Sequence, residues 1–217
     1  MKAPILSVVA LAAVFLVACG PSEAELTAAT EQAAADSVAA VAAAEHTYVV
    51  DVANSKVMWT GTMLGIKSHH GTINLTEGKV SVQGGKLTAG SFTVDMTSMA
   101  PLDTNYAADG AKQGTRSMLI GHLQSPDFFD VADHPTATFE ITGSDMTSAG
   151  GKLTVRGTSD EEKVTDIVIT EENGMLKATG KIGFDRQKYG AKWASPMKDM
   201  VLNNVIELTV ELTGTVQ

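Results

Sequence analysis

The chain has 217 residues, 44% of them hydrophobic, and a formal net charge of −9 at neutral pH. An acidic surface repels nucleic acid and anionic lipid headgroups alike, which excludes a nucleic-acid partner. The one cysteine permits no internal disulfide, so the fold must depend on its core alone.

Residues 1–18 have the composition of a secretory signal peptide, with one charge followed by an apolar stretch. That stretch is too short for a membrane span, which needs roughly 20 apolar residues. The segment Leu16-Val17-Ala18-Cys19 resembles the lipobox of bacterial lipoproteins, in which the cysteine is lipidated. We therefore expect Cys19 to anchor a periplasm-facing chain to the membrane, and Gly20 after it favours the outer membrane. The alternative is an ordinary signal peptide with an incidental cysteine.

Residues 19–46 form a separate region, rich in alanine and acidic residues and without lysine or arginine. Alanine favours helix, but the apolar stripe is too thin for strong packing. The region is predicted to be a partly helical tether that connects the anchor to a domain at 47–217.

From Thr47 onward, apolar and polar residues alternate in many short runs. The run Ile206–Thr213 is the clearest, and Leu176–Phe184 shows the same pattern. Alternation of this kind predicts antiparallel strands with one wet face, in a meander that closes as a barrel or packs as a sandwich.

Four pairs that contain glycine are predicted to be turns between these strands. They are Glu77-Gly78, Gly84-Gly85, Gly150-Gly151 and Asn173-Gly174. Residues 97–125 are not strand-like, and 105–123 are predicted to supply a short helix and a loop over one barrel end.

Several ordered segments resemble the YceI-like family of periplasmic polyisoprenoid-binding proteins. The stretch Gly121–Phe139, which reads GHLQSPDFFDVADHPTATF, is the most diagnostic. The other matching segments are Tyr48–Asp51, Ser55–Val57, Leu153–Gly157 and Phe184–Gly190. After Gly157 the chain departs from the family pattern, because Thr158–Lys163 is longer, acidic and without proline.

The resemblance implies an eight-stranded antiparallel up-and-down barrel, lipocalin-like, with a helix or long-loop insertion and a long apolar ligand inside. The residues predicted to contact the lipid are Trp59, Phe92, Val94, Met96, Phe128, Phe129, Phe139, Ile141, Ile182 and Phe184. The residues predicted to contact its headgroup are Arg186, Lys188, Tyr189, Lys192 and Trp193. No cofactor is predicted beyond a bound lipid, and the sequence leaves open whether the protein is a homodimer.

Two clusters contain residue types that occur in reactive sites. His122, Ser125 and Asp127 include the residue types of a hydrolase triad, but triad members normally come from distant sequence, and no nucleophile elbow surrounds Ser125. His69 and His70 are adjacent on a predicted strand, so they point to opposite faces and do not form a metal site on their own. We therefore predict a binding protein without catalytic or metal-ligating residues. The main alternative is a filled barrel that acts as an envelope scaffold; a lipid-directed enzyme is a third hypothesis.

Overall fold

The predicted strands form one sheet in the structure, a computed structural model that describes residues 22–64, 67–195 and 201–217. Its strands are β1 (Glu45–Val50), β2 (Lys56–Leu64), β3 (Lys67–Gln83), β4 (Lys86–Pro101), β5 (Thr136–Ser144), β6 (Ala149–Val155), β7 (Thr158–Glu172), β8 (Met175–Asp185) and β9 (Val201–Val216). The helices are α1 (Glu23–Ala43), α2 (Arg116–Gln124) and a 3-10 helix (Arg186–Tyr189). The predicted signal peptide and Cys19 lie outside the described residues.

The sheet closes into a barrel. Strands β2 to β8 each pair antiparallel with the next strand in sequence, and β9 pairs back with β2, which gives a closed ring of eight strands. The closure leaves these strands without free edges. The prediction of an eight-stranded up-and-down barrel with a helical insertion is confirmed.

The additional strand, β1, lies in line with β2, because both strands pair with β3 and β9. Tyr48 pairs with Val80 of β3 and Val216 of β9, whereas Val57 of β2 pairs with residues further along the same two strands. A turn separates β1 from β2, in which the Asp51 carboxylate accepts hydrogen bonds from the backbone amides of Ala53 and Asn54 at 3.1 and 3.2 Å. Together β1 and β2 cover the length of their long neighbours.

Two of the four predicted glycine turns are correct. Gly84-Gly85 and Asn173-Gly174 connect strands, and all four of these residues have positive φ, as a tight hairpin turn requires. The prediction was wrong for Glu77-Gly78, which lies at a register shift within β3, and for Gly150-Gly151, which lies within β6.

Two further boundaries differ from the prediction. Strand β4 continues to Pro101, so the segment without strand structure begins five residues later than predicted. The acidic segment Thr158–Lys163 is not a long loop but the start of β7, paired with β6. The turn before it consists of Arg156 and Gly157, both with positive φ.

The two ends of the barrel differ. The "upper end" is defined here by the β2–β3, β4–β5, β6–β7 and β8–β9 connections, and the opposite end is the "lower end". A cluster of buried side chains fills the lower end: Tyr48, Val80, Val82, Leu87, Ala149, Ile167 and Leu176. Apolar side chains therefore close this end of the barrel.

Helix α1 belongs mainly to a separate unit, because the chain divides into one unit that ends at Val41 and another from Ala42 to Gln217. The helix begins with a capping box. The Ser22 hydroxyl accepts from the Glu25 amide at 3.3 Å, and the Glu25 carboxylate accepts from the Ser22 amide at 2.8 Å. The predicted helical character of this region is confirmed; its role as a tether stays a prediction.

Candidate functional site

The barrel encloses a cavity of about 370 Å³. The ten residues predicted from the sequence to contact a lipid all line it: Trp59, Phe92, Val94, Met96, Phe128, Phe129, Phe139, Ile141, Ile182 and Phe184. The lining is almost entirely hydrocarbon and aromatic, so the cavity is suited to an apolar molecule.

Alternation along each strand produces this lining. In β8, every second residue from Leu176 to Phe184 is buried, and the residues between them are exposed. Ala178 and Gly180 line the cavity beside the larger Ile182 and Phe184. Gly180 allows the wall to pack closely, because a Cβ there would lie 2.8 Å from Cγ1 of Val164.

The segment around α2 closes the upper end. The Thr115 hydroxyl accepts from the Met118 amide at 3.2 Å and so caps the N-terminus of the helix. At its C-terminus the Ser125 hydroxyl donates to the carbonyl of His122 at 2.8 Å. The chain then turns Phe128 and Phe129 into the cavity, with ring centroids 4.8 Å apart. Ser125 thus has a structural partner at the end of the helix.

Two of the predicted headgroup residues are buried structural residues. Arg186 is 1% exposed; it donates from Nη1 to the carbonyl of Ala191 and from Nε to the carbonyl of Asn203, the latter at 3.3 Å. Burial lowers the pKa of Arg186, and the charge of Asp185 opposes this. Tyr189 donates its hydroxyl to Glu162 at 3.1 Å.

The other three predicted headgroup residues differ from one another. Lys188 forms ion pairs with Asp160 at 3.0 Å and Glu162 at 3.3 Å, and Lys192 is exposed. Only Trp193 lines the cavity, where its ring lies 4.7 Å from that of His122. The structure therefore places Arg186, Lys188, Tyr189 and Lys192 away from the cavity wall. A headgroup role for these residues stays an untested prediction.

The polar side chains that the structure does bring to the cavity's upper end are Lys67, His69 and His122, here called the polar end. From the sequence, His122 was a candidate only for a triad and His69 only for a metal site. It correctly expected His69 and His70 to face opposite ways, since His69 lines the cavity and His70 is exposed. The available signal was this alternation, which put His69 on the inward face.

His69 is held in place by the loop after β4. Its Nδ1 lies 2.8 Å from Oδ2 of Asp103 and 3.2 Å from the Tyr106 hydroxyl, and the two rings stack at 5.6 Å. Burial favours a raised pKa for Asp103, but hydrogen bonds from His69, Tyr106 and the His70 amide outweigh it and lower that pKa. Asp103 is therefore ionised at neutral pH and fixes the orientation of the imidazole.

His122 carries an unpaired polar atom. Its Nε2 is buried and has no hydrogen-bond partner among the described residues. Burial lowers the pKa of His122, an effect that the charge of Asp127 partly opposes. The imidazole is therefore neutral at pH 7 and available for one hydrogen bond inside the cavity.

Metal-ligand clusters and membrane-spanning helices are absent from the described residues. No three histidine, cysteine, aspartate or glutamate side chains in the described ranges come together as a possible set of metal ligands. Within residues 22–64, 67–195 and 201–217, no helix is both long and apolar enough to cross a bilayer.

Comparison with known proteins places this geometry in a known family. The model of the YceI-like domain matches residues 48–214, which span the barrel from within β1 to Gly214 of β9. No curated protein matches this chain closely enough to count as a relative.

Solved structures resemble this chain at low sequence identity, and the first of them shows the same fold. BcnA from Burkholderia cenocepacia has a TM-score of 0.61 and 18% identity, covering 76% of this chain and 99% of that chain. A polyisoprenoid binding domain from Saccharophagus degradans has a TM-score of 0.49 and 10% identity, covering 78% and 98%. The YceI protein of Campylobacter jejuni has a TM-score of 0.44 and 19% identity, covering 60% and 73%.

Proposed function

This chain belongs to the YceI-like family, and from that premise we propose that its barrel binds the long apolar chain of an isoprenoid or a similar amphiphilic lipid. The observation that carries the proposal is the cavity of about 370 Å³, lined by side chains such as Phe92, Phe139 and Phe184. Ligand cavities in proteins span roughly 300 to 1,000 Å³. A cavity near the lower limit suits one extended chain better than a bulky ring system.

The energetics favour a long ligand. Burial of hydrocarbon contributes roughly 0.8 kcal/mol per CH₂ group, so a chain of several prenyl units gains on the order of 10 kcal/mol. Association costs an estimated 4 to 15 kcal/mol, roughly the same amount. Short chains are therefore expected to bind weakly, and affinity is expected to rise with each added prenyl unit.

The cavity also supports this proposal over its alternatives. A barrel that served only as a scaffold would be expected to fill its interior with side chains, as small barrels do. Binding is favoured over catalysis because the residues of the suspected triad have other roles: the Ser125 hydroxyl bonds a helix carbonyl, and His122 faces an apolar cavity. We propose that the protein carries, stores or sequesters its lipid.

The cellular location is part of the same proposal. The lipobox-like end of the signal peptide supports an anchor at Cys19, which would hold the barrel at a bacterial membrane with its surface facing the periplasm. A lipid-binding barrel beside a bilayer would be close to a source of its ligand. The mass of the mature protein tests the anchor, because lipidation of Cys19 adds the mass of its acyl chains and an unlipidated chain contradicts it.

The experiment that tests binding is the identification of what co-purifies with the protein. Native mass spectrometry is expected to show a bound lipid, and solvent extraction is expected to release a prenyl or other long-chain amphiphile. A fluorescent prenyl probe should bind the delipidated protein and be displaced by long-chain prenols. A barrel that carries no lipid and never binds the probe contradicts the proposal.

A further inference from the structure

The polar end of the cavity is built as a site for one small group. Lys67, His69 and His122 line both the main cavity and an adjoining pocket at its upper end, whose wall also includes Tyr106, Thr115 and Met118. The rest of the main cavity is apolar apart from two threonines, Thr138 and Thr179. An amphiphile whose chain lies in the barrel would therefore leave its head among these three residues.

The first requirement comes from His122. Its buried Nε2 lacks a partner among the described residues, and a buried polar atom without a hydrogen bond is costly. The ring is fixed by edge contacts with Trp193 and Phe128, at centroid distances of 4.7 and 5.6 Å. A ligand group at this end would remove the cost by hydrogen-bonding to Nε2.

The second requirement comes from His69. The ionised Asp103 carboxylate can only accept, so Nδ1 of His69 carries the proton that it donates across 2.8 Å. When the ring is neutral, Nε2 has a lone pair, and this atom makes no hydrogen bond with the described residues. A carboxylate behind a histidine commonly fixes the tautomer in this way.

We propose, on the premise that the barrel binds a lipid, that the polar end holds the ligand's head and that this head is a hydroxyl group. A hydroxyl both donates and accepts, so it can donate to Nε2 of His69 and accept from Nε2 of His122 in the tautomer that carries its proton on Nε2. A carbonyl or an ether only accepts and would leave the lone pair of His69 unpaired. The favoured ligand class is thus a long-chain alcohol.

The charges at this end argue against a phosphate. Asp103 lies against His69, and the charge of Asp127 acts on His122. Arg116 donates to the backbone carbonyl of Asp103 and lies over the Tyr106 ring, and Lys67 lines the described cavity wall. These two cations only offset the two carboxylates. A phosphate with about −1.5 to −2 charges would therefore meet no net positive charge to hold it.

The test compares three probes that share one C20 chain: geranylgeraniol, its methyl ether and its monophosphate. Binding to the delipidated full chain is measured by displacement of a fluorescent prenyl probe. The wild-type protein is expected to bind the alcohol about tenfold more tightly than either of the others, as expected for one lost buried hydrogen bond. Equal affinity for alcohol and ether, or tighter binding of the phosphate, overturns the proposal.

Three variants locate the effect. His122→Phe and His69→Phe are expected to weaken alcohol binding about tenfold and to abolish the preference over the ether. His70→Phe is the matched control, because His70 is exposed and does not line the cavity. Loss of preference in His70→Phe alone contradicts the assignment. If none of the probes binds the wild-type chain, the lipid-binding function itself fails; if all three bind equally, only the head assignment fails.

Discussion

Arg156 links the two segments that close the upper end of the barrel. It occupies a turn with φ 51°, and its guanidinium donates to the carbonyls of Pro126, Phe128 and Gly190 at 2.8, 3.3 and 2.6 Å. Glycine adopts positive φ without strain, so Arg156→Gly keeps the turn and removes only the side chain. We expect this variant to lose about 2 to 3 kcal/mol of unfolding free energy, measured by urea denaturation. A variant as stable as the wild type contradicts the role given to Arg156.

Asp145 stabilises the β5–β6 turn in a pH-dependent way. Its carboxylate accepts from the amides of Thr147 and Ser148 and from the Ser148 hydroxyl, at 2.9, 2.7 and 2.7 Å. Hydrogen bonds from Ser148 lower the pKa of Asp145 from 3.8 to about 2. A depressed pKa in the folded state contributes stability that is full above pH 3.8 and is lost as pH falls through about 2.

Asp145→Ala is therefore expected to unfold at a lower urea concentration than the wild type at neutral pH. The difference should shrink below about pH 4 and disappear near pH 2. Asp109→Ala is the control, because Asp109 is an exposed loop residue without an ion pair or hydrogen bond to the described residues. A difference between Asp145→Ala and wild type that stays constant with pH contradicts this interpretation.

At the scale of single strands, glycine is the residue whose role the sequence could not decide. Gly84 and Gly174 make turns, but a Cβ at Gly78 would lie 2.7 Å from Cβ of Val50, and one at Gly151 would lie 2.3 Å from Cζ of Phe139. The last two glycines permit close packing inside strands. A turn and a close approach both need glycine locally, and only the position of a distant neighbour distinguishes them.

Gly151→Ala tests this distinction. The added Cβ would also lie 2.6 Å from the carbonyl oxygen of Glu140, so a rotamer change of Phe139 alone cannot relieve the clash. We expect a loss of about 1 to 3 kcal/mol in unfolding free energy, measured by urea denaturation. Gly121→Ala is the matched control within α2, where a Cβ meets nothing within 4 Å. That control should gain about 0.5 to 1 kcal/mol, because alanine favours helix.

At the scale of the whole molecule, the wall of the cavity was predictable and its polar end was not. Alternation fixes which side chains face inward, and Phe139 and Ile182, which it put on the apolar faces of their strands, line the cavity. Arg186 was predicted to contact a headgroup. In the structure its guanidinium donates hydrogen bonds to backbone carbonyls that only the folded loop brings close. Asp103 and His69 are likewise separated by 34 positions, and nothing local in the sequence indicates that they pair.

Filling the cavity separates its contribution to binding from its contribution to stability. Ala137 lies on β5 opposite Val94, is 6% exposed and lines the cavity. In Ala137→Phe, the larger ring would occupy volume that the proposed lipid chain needs, so affinity for the fluorescent prenyl probe should fall at least tenfold. An unfilled cavity costs the delipidated protein about 24 cal/mol per Å³, so filling part of it should leave stability unchanged or raise it.

Thr165→Phe is the matched control for this substitution, because Thr165 is an exposed residue of β7 that does not line the cavity. It should leave probe affinity unchanged. Thermal unfolding of delipidated protein and probe titration together give the decisive comparison. A barrel that only stabilises itself would show no change in probe affinity when the cavity is filled. Weaker probe binding together with unchanged or higher stability is expected only if the interior volume is kept open for a ligand.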